Sequence, residues 1–254
     1  MYTKEKLKSD LYSLGIRAGD TVLMHSSYKS MGEIQDGAKG FFEAFKELLG
    51  ESGTLVLPSL SYSTVTRDNP EFDLKNTPSC VGYLTEYFRT QVPGVIRSIH
   101  ATHSCCAWGK NAFELCKDHE KDQTPVGENS PFAKLPVFNG KILMIGCGKD
   151  CNTSLHGVEE TVKLPYGIDY NNPVIYTIKC NDRIFTQNSY RHNFLVGDKH
   201  IDQCYGRIID LLSQDEISKG KILDADAILM DSKAVWKKGH DKLFDEPYFF
   251  VNMP

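Results

Sequence analysis

Lys141-Ile-Leu-Met-Ile-Gly-Cys-Gly-Lys-Asp-Cys-Asn-Thr-Ser-Leu-His-Gly-Val-Glu-Glu160 is the stretch on which the reading of the fold turns. The apolar run Ile142–Ile145 predicts a short buried strand. Gly146 and Gly148 then let the backbone turn sharply. After the turn come Asp150, Asn152, Thr153, His156, Glu159 and Glu160. Polar groups gathered at the end of a buried strand are where open α/β sheets place their chemistry. If a helix follows the turn, His156 shares one face with Glu159 and with Glu160. A histidine beside a carboxylate is the usual build of a general base. The plainer alternative is a capped helix with a solvated acidic face.

Outward from this stretch, the N-terminal half repeats the strand-then-helix pattern. Thr3 caps an expected helix over 3–14, with Leu7, Leu11 and Leu14 on one face. Thr21–Met24 is an apolar strand that runs into the hydroxyl-rich loop His25–Gly32. Asp36 is expected to cap a second helix through Leu49, and Thr54–Leu57 starts the next strand, closed by Pro58. Short connections between such elements predict parallel α/β units. Residues 59–79 read as a long surface loop and 80–90 as a third helix. Cys105–Gly109 reads as a buried strand and 111–119 as helical. Beyond Glu160, Val174–Ile178 and Arg183–Thr186 form an expected hairpin through Asn181-Asp182. A helix near 201–213 and short strands at 221–223 and 227–230 follow. The prediction is one domain over residues 1–254: a three-layer α/β/α fold with a mixed, partly parallel sheet and a more antiparallel C-terminal part.

Composition narrows the function. The net charge is -4 and there is no basic block, which argues against nucleic acid as a partner. No apolar segment reaches the roughly 18 residues that span a membrane, and the N-terminus has no signal-peptide core. Eight cysteines without a Cys-x-x-Cys pair point to free thiols in a reducing compartment, hence a cytoplasmic protein, and give no zinc spacing.

Three loops, 25–30, 100–104 and 146–156, each carry histidine with serine or threonine. Loops from neighbouring strands converge at one sheet edge, so together they propose one cleft. His25-Ser26-Ser27 could offer hydroxyls and N–H groups to an anion, although a serine-rich turn explains it as well. His100-x-x-His103 suggests metal, but no third ligand follows at a recognised spacing, and satisfied structural histidines are the better reading. Cys151 beside Asp150 raises a thiol nucleophile; His156 lies too close along the chain to serve as its base.

The spaced motifs resemble the aminoglycoside 3-N-acetyltransferase family, also called antibiotic N-acetyltransferases. His25-Ser-Ser-Tyr-Lys-Ser-Met-Gly32 resembles the family's His-Ser-Ser-Leu-x-x-x-Gly loop, and Gly53-Thr-Leu-Val-Leu-Pro58 its Gly-Thr-Leu-x-x-Pro strand. Ile99-His-Ala-Thr-His-Ser104 resembles its His-Pro-x-His-Ser segment. Thr124-Pro-Val-Gly-Glu-Asn-Ser-Pro-Phe132 and Asn152-Thr-Ser-Leu-His-Gly-Val-Glu159 resemble its Gly-x-x-Ser-Pro and Asn-Thr-x-Leu-His-x-x-Glu run. Ala101 replaces a proline, and Gly157-Val158 replaces Leu-Ala. The loop 59–79 and the chain after 186 match poorly.

The resemblance implies acetyl-CoA as donor, a cationic amine as acceptor (the 3-amino group of an aminoglycoside) and no metal. His156 would be the base, neutral around pH 7. Glu159 would orient it, with Asp150 or Asp202 as alternatives. Thr153 and Ser104 would stabilise the oxyanion. His25, Ser26, Ser27 and Lys29 would hold the pantetheine and phosphates, with Ser104 and Ser130 also facing the cofactor. Asp68, Glu71, Asp73, Asp122, Glu128 and Asp169 would line the amine pocket. Two other readings stay open: an acyl-CoA-dependent transferase on another amine, such as a biosynthetic amino sugar, and a non-catalytic relative that binds CoA or a nucleotide. A homodimer is one option for the assembly, which the sequence leaves open.

Overall fold

The structure is a computed structural model and describes residues 1–252. Thr3 opens helix α1 (Lys4–Leu14), its hydroxyl accepting from the Lys6 N–H at 3.2 Å, and Leu7, Leu11 and Leu14 are buried along one side. Strand β1 (Thr21–Ser26) leads to helix α2 (Gly37–Leu49) and strand β2 (Thr54–Pro58). Next come β3 (Glu71–Asp73), α3 (Tyr83–Gln91), β4 (Ile96–Arg97), β5 (Cys105–Gly109), α4 (Ala112–Cys116) and α5 (Pro131–Lys134). The stretch 141–160 forms β6 (Lys141–Ile145) and most of α6 (Ser154–Val162). The hairpin β7 (Val174–Cys180) and β8 (Arg183–Ser189) is followed by short β9 (Leu195–Val196), β10 (Lys199–His200) and β11 (Asp202–Gln203). Strands β12 (Ile217–Ile222) and β13 (Ala225–Asp231), helix α7 (Ser232–Asp245) and β14 (Val251–Asn252) complete it.

The main sheet has seven strands in the order β12-β13-β6-β1-β2-β5-β4. Within it β6, β1 and β2 run parallel, whereas β13 pairs with β6, and β5 with β2, antiparallel. Alternate residues of the central strands feed two cores. Val22, Met24, Leu55 and Leu57 pack with Leu7, Leu11, Phe41, Phe45 and Phe88 of α1–α3. Leu23, Val56, Ile142 and Met144 pack with Leu155 and Val158 of α6 and Val235 and Leu243 of α7. A sheet covered on both faces explains why its strands read as unbroken apolar runs. The expected three-layer α/β/α fold, mixed and more antiparallel toward the C-terminus, is the observed one.

Register brings the three proposed loops to one edge. Ser26 lies opposite Ile145, and Pro58 opposite Cys105. Because β5 is antiparallel to β2, its entry loop 100–104 sits beside the exits of β1, β2 and β6. The order reverses around β1, as at the crevices that bind ligands in open α/β sheets.

Three expectations are corrected. Residues 59–79 are not a surface loop throughout: β3 pairs in parallel with β7, and Phe72 is buried with Val174, Tyr176 and Ile178. One buried aromatic between acids leaves no period to read. Asp36 does not cap α2; its backbone is left-handed (φ 59°) and its side chain makes no cap bond. The helix near 201–213 is a 3-10 turn over Tyr205–Leu211, in which Tyr205 and Ile208, three apart, are both buried.

Gly157, which replaces a leucine of the family pattern, has a steric reason. A Cβ there would stand 2.5 Å from the Trp236 ring and 2.7 Å from Val126 Cγ1. Trp236, on α7, fills the space of the missing side chain. Gly157→Leu should therefore destabilise the protein by about 1–3 kcal/mol, despite leucine's higher helix propensity. Urea unfolding checks this; a variant as stable as the parent would contradict it.

Candidate active site

The turn after β6 sets the site. Gly146 takes φ 61°, and a Cβ on it would overlap Ser30 Oγ. That close approach lets the 25–30 loop dock, with Ser27 N–H donating to the Ile145 carbonyl at 2.8 Å. Asn152 Oδ1 accepts from Ser154 N–H (3.2 Å) and from its hydroxyl (2.6 Å), which starts α6. Asp150 Oδ1 accepts from Gly206 N–H at 2.7 Å and pins the 205–211 turn against the loop. Tyr205 is thereby held over α6, far from it in sequence.

A cavity of about 610 Å³ opens over this edge. His25, Ser26, Asp150, Thr153 and His156 are on its wall, as are Cys147, Cys151 and Asn152. A volume of this size suits a drug-sized ligand. The wall also carries residues that sequence reasoning missed: Tyr62, Arg191, His192, Phe194, Gln203 and Tyr205.

His156 is the best-defined group. Its side chain is 13% exposed. Nδ1 lies 2.5 Å from the Tyr205 hydroxyl and 3.4 Å from Glu159 Oε2, and Tyr205 donates to Glu159 Oε2 at 2.6 Å. With Nδ1 engaged, Nε2 is the ring nitrogen left for the cavity. Burial pushes the imidazole down to about 3, so it is neutral at pH 7. Burial pushes Glu159 up to about 8, against the hydrogen bond from Tyr205. A carboxyl that stays protonated to such a pH exerts little pull on the imidazole, which is why burial wins for both. The ring lies tilted against that of His192 (4.4 Å between centroids), which lies 5.0 Å from His103. A neutral imidazole with one free nitrogen on a cavity wall can take a proton and give it back.

The remaining expected residues fall elsewhere. Ser104 is fully buried; its hydroxyl donates to the Ser59 carbonyl at 2.7 Å and accepts from Arg97 Nε at 2.9 Å, so it fixes a loop and cannot reach an oxyanion. Ser130 is buried and caps α5 through Ala133 N–H. Lys29 is exposed on the 28–31 turn, off the cavity wall. Ser27 contributes its N–H to Ile145 rather than a hydroxyl to the cavity. His100 is structural, its Nδ1 accepting from Thr102 and His103 N–H groups, whereas His103 reaches the wall.

None of the six acids expected in the amine pocket lines the cavity. Glu71 pairs with Lys179 at 2.5 Å, and Asp169 with Arg67 at 3.4 Å. Asp73 closes its own turn on Lys75 and Asn76 N–H groups. Asp122 is buried and holds Asn129. Asp68 and Glu128 are exposed and off the cavity wall. Asp202 pairs through its strand with Asn252 and is off the wall. Among the described residues, no group of three or more His, Cys, Asp or Glu is placed to hold a metal ion.

An α/β fold with a buried, neutral imidazole at the crevice of its sheet defines a candidate site for acid–base chemistry; similarity to known proteins narrows the class. The chain belongs to the aminoglycoside 3-N-acetyltransferase family, acyltransferases whose sequence model matches residues 23–243. It is 30% identical over its whole length to aminoglycoside N(3)-acetyltransferase IV from Salmonella, covering 92% of that protein. It is 30% identical over 68% of its length to the N(3')-acetyltransferase-like protein YokD of Bacillus subtilis, covering 70% of that protein. Among solved structures, a histidine-to-alanine mutant of aminoglycoside acetyltransferase AAC(3)-IVa in complex with a gentamicin superposes with a TM-score of 0.83 at 28% identity, over 100% of this chain and 92% of that one. The binary complex of AAC-IIIb with CoASH gives 0.81 at 25% identity, over 100% and 99% of the two chains.

Glu160, next to Glu159, accepts from Val126 N–H at 2.9 Å through Oε1, while Oε2 is buried without a partner. Burial pushes this carboxyl up to about 8. The unfolded chain ionises it near 4.5, so the folded state loses stability as pH rises from about 4.5 to 8. Glu160→Gln removes that loss. Its stability relative to the parent should rise by on the order of 2–4 kcal/mol between pH 5 and pH 8.5. Thermal or urea unfolding at the two pH values reads this, and a pH-independent difference would contradict it.

Proposed function

We propose that this chain is an acetyl-CoA-dependent N-acetyltransferase that acetylates an amino group of an aminoglycoside-like amine, the 3-amino group by family resemblance, with His156 as general base. The observation that carries the reading is a neutral imidazole whose Nδ1 is held and whose Nε2 is free on the cavity wall. The two relatives solved with CoASH and with a gentamicin support the two substrates. The chain is read as a single domain over residues 1–254, and its free thiols fit a reducing, cytoplasmic setting. No helix among the described residues is long and apolar enough to cross a membrane.

In this mechanism the acetyl thioester lies across the cavity beside His156. The amine lone pair attacks the carbonyl carbon and a C–N bond forms. His156 Nε2 takes the amine proton, and Glu159 supports the resulting imidazolium. Donors near the start of α6 meet the oxyanion: the Thr153 hydroxyl, and Asn152 Nδ2, a buried donor without a partner on a residue of the cavity wall. The C–S bond then breaks, and the imidazolium returns its proton to the thiolate. His25 and Ser26 contact the acetyl donor. Asp150 serves the site by anchoring Gly206.

One observation favours a second reading of the acceptor. Among the described residues on the cavity wall, Asp150 is the only carboxylate, and Arg191 is there as well. That charge suits an amine with fewer positive charges than a polycationic aminoglycoside, such as a simpler amino sugar.

Replacement of His156 by Ala should lower kcat by about 10² or more and leave CoA affinity within a few-fold of the parent. Thiol release across a panel of aminoglycosides and amino sugars, together with CoA titration, provides the readout. Equal turnover by parent and variant would sink the general-base reading.

A further inference from the structure

The Tyr205 hydroxyl is closer to both His156 Nδ1 (2.5 Å) and Glu159 Oε2 (2.6 Å) than those two groups are to each other (3.4 Å). Charge-assisted hydrogen bonds run near 2.7–2.9 Å, so the direct histidine–carboxylate contact is the weak one. We infer that Tyr205 is the positioning residue that joins Glu159 to His156 and decides which imidazole nitrogen carries the proton. This rests on the reading of His156 as base.

Hydrogen-bond valence decides the roles. A tyrosine hydroxyl has one proton to donate and two lone pairs. Gln203 Nε2 donates to the Tyr205 oxygen at 3.0 Å, which occupies one lone pair. When Glu159 is ionised it can only accept, so the Tyr205 proton points to Oε2. The second lone pair then accepts from Nδ1–H, and Nε2 is bare and basic. When Glu159 is protonated it can donate to the Tyr205 oxygen instead. The Tyr205 proton then turns to Nδ1, the imidazole proton sits on Nε2, and the ring cannot accept from an amine. Both arrangements satisfy every partner of the hydroxyl, and only one is competent. No covalent bond between heavy atoms is made or broken in the exchange; protons shift along existing hydrogen bonds.

The surroundings suit this behaviour. Glu159 is 1% exposed, and among the described residues no Lys or Arg lies within 4.0 Å of it. The groups that face it are His156 and Glu160 from its own helix, Tyr205 from the 205–211 turn, and Tyr166, whose hydroxyl donates to the Pro247 carbonyl at 2.9 Å. Tyr205 sees the same carboxyls and Tyr166, and burial together with Glu159 lifts it well above its ordinary range, so it stays a phenol. Sequence motifs give no hint of the residue: it lies 46 positions beyond Glu159 and outside every motif quoted above.

The test is Tyr205→Phe in the full chain, assayed by thiol release from acetyl-CoA with gentamicin, or with whichever amine of the panel the parent acetylates fastest. The expected result is a fall in kcat of about 10- to 100-fold with KM for acetyl-CoA nearly unchanged. The ascending limb of kcat against pH should also move from its parental position. The acceptor amine titrates alike in both proteins, so a difference between the profiles belongs to the enzyme. Parental kcat with a superimposable pH profile would overturn the inference. If the Phe variant does not fold, site-specific 3,5-difluorotyrosine at position 205 keeps the size and makes the hydroxyl more acidic; a pH limb that does not move then overturns it. His156→Ala measured alongside separates the two claims. An inactive His156→Ala with a parental Tyr205→Phe refutes the tyrosine alone, and an active His156→Ala refutes the base.

Discussion

A carboxyl and an imidazole are buried together here, with no cation among the described residues in salt-bridge reach of the carboxyl, and the site depends on that. Glu159 is almost inaccessible and His156 nearly so. Burial disfavours the charged form of each, raising the carboxyl and lowering the imidazole. An exposed pair of this kind would keep its carboxylate charged at pH 7 and draw the imidazole toward its protonated form. Burial holds the imidazole neutral at pH 7, and a neutral imidazole accepts a proton from an amine once its own proton sits on Nδ1, the arrangement that an ionised Glu159 favours. The hydrogen bonds through Tyr205 give His156 Nδ1 and Glu159 Oε2 a partner, while Glu159 Oε1 is buried without one.

The fold supplies the burial. Helix α6 lies on the sheet face shared with α7, and Leu155 and Val158, on either side of His156 in sequence, are in the core beneath it. His156 and Glu159 therefore project from a helix fixed on its other side. Antiparallel β5 brings loop 100–104 to the edge where the parallel strands end, which adds His103 to the wall and buries Ser104 behind it. Close packing of Gly157 against Trp236 brings α7 near α6 at the level of the site. Stability and chemistry thus share the same contacts.

The layers of the fold were legible in the sequence because strand and helix periods are strong over residues 3–58, 105–109 and 141–160. The hairpin was legible at 174–178 and 183–186, shorter than the strands prove to be, and its turn from Asn181, which adopts φ 51°. The convergence of three loops on one edge also followed from strand order. What could not be read came from tertiary docking. Arg191, His192 and Gln203 reach the cavity from short or irregular segments, where no period says which way a side chain faces, and the inward period of Tyr205 does not say that it faces His156. The acids suffered the opposite error. Asp73, Asp122 and Asp169 look available in sequence, yet they close turns and hold neighbouring groups. A carboxylate's local hydrogen bonds, not its presence in a loop, decide whether a ligand can use it.

The proposed chemistry stands on His156 being a neutral base whose Nδ1 is held and whose Nε2 is free. Nitrogen-15 NMR of the histidine rings, with the His156 signals assigned by their loss in His156→Ala, measures this directly. The predicted result is no imidazolium at His156 between pH 5 and pH 9, and at pH 9 a proton on Nδ1 with an unprotonated Nε2. A ring that titrates near the ordinary value of about 6.5, or one that carries its proton on Nε2 at pH 9, would contradict it.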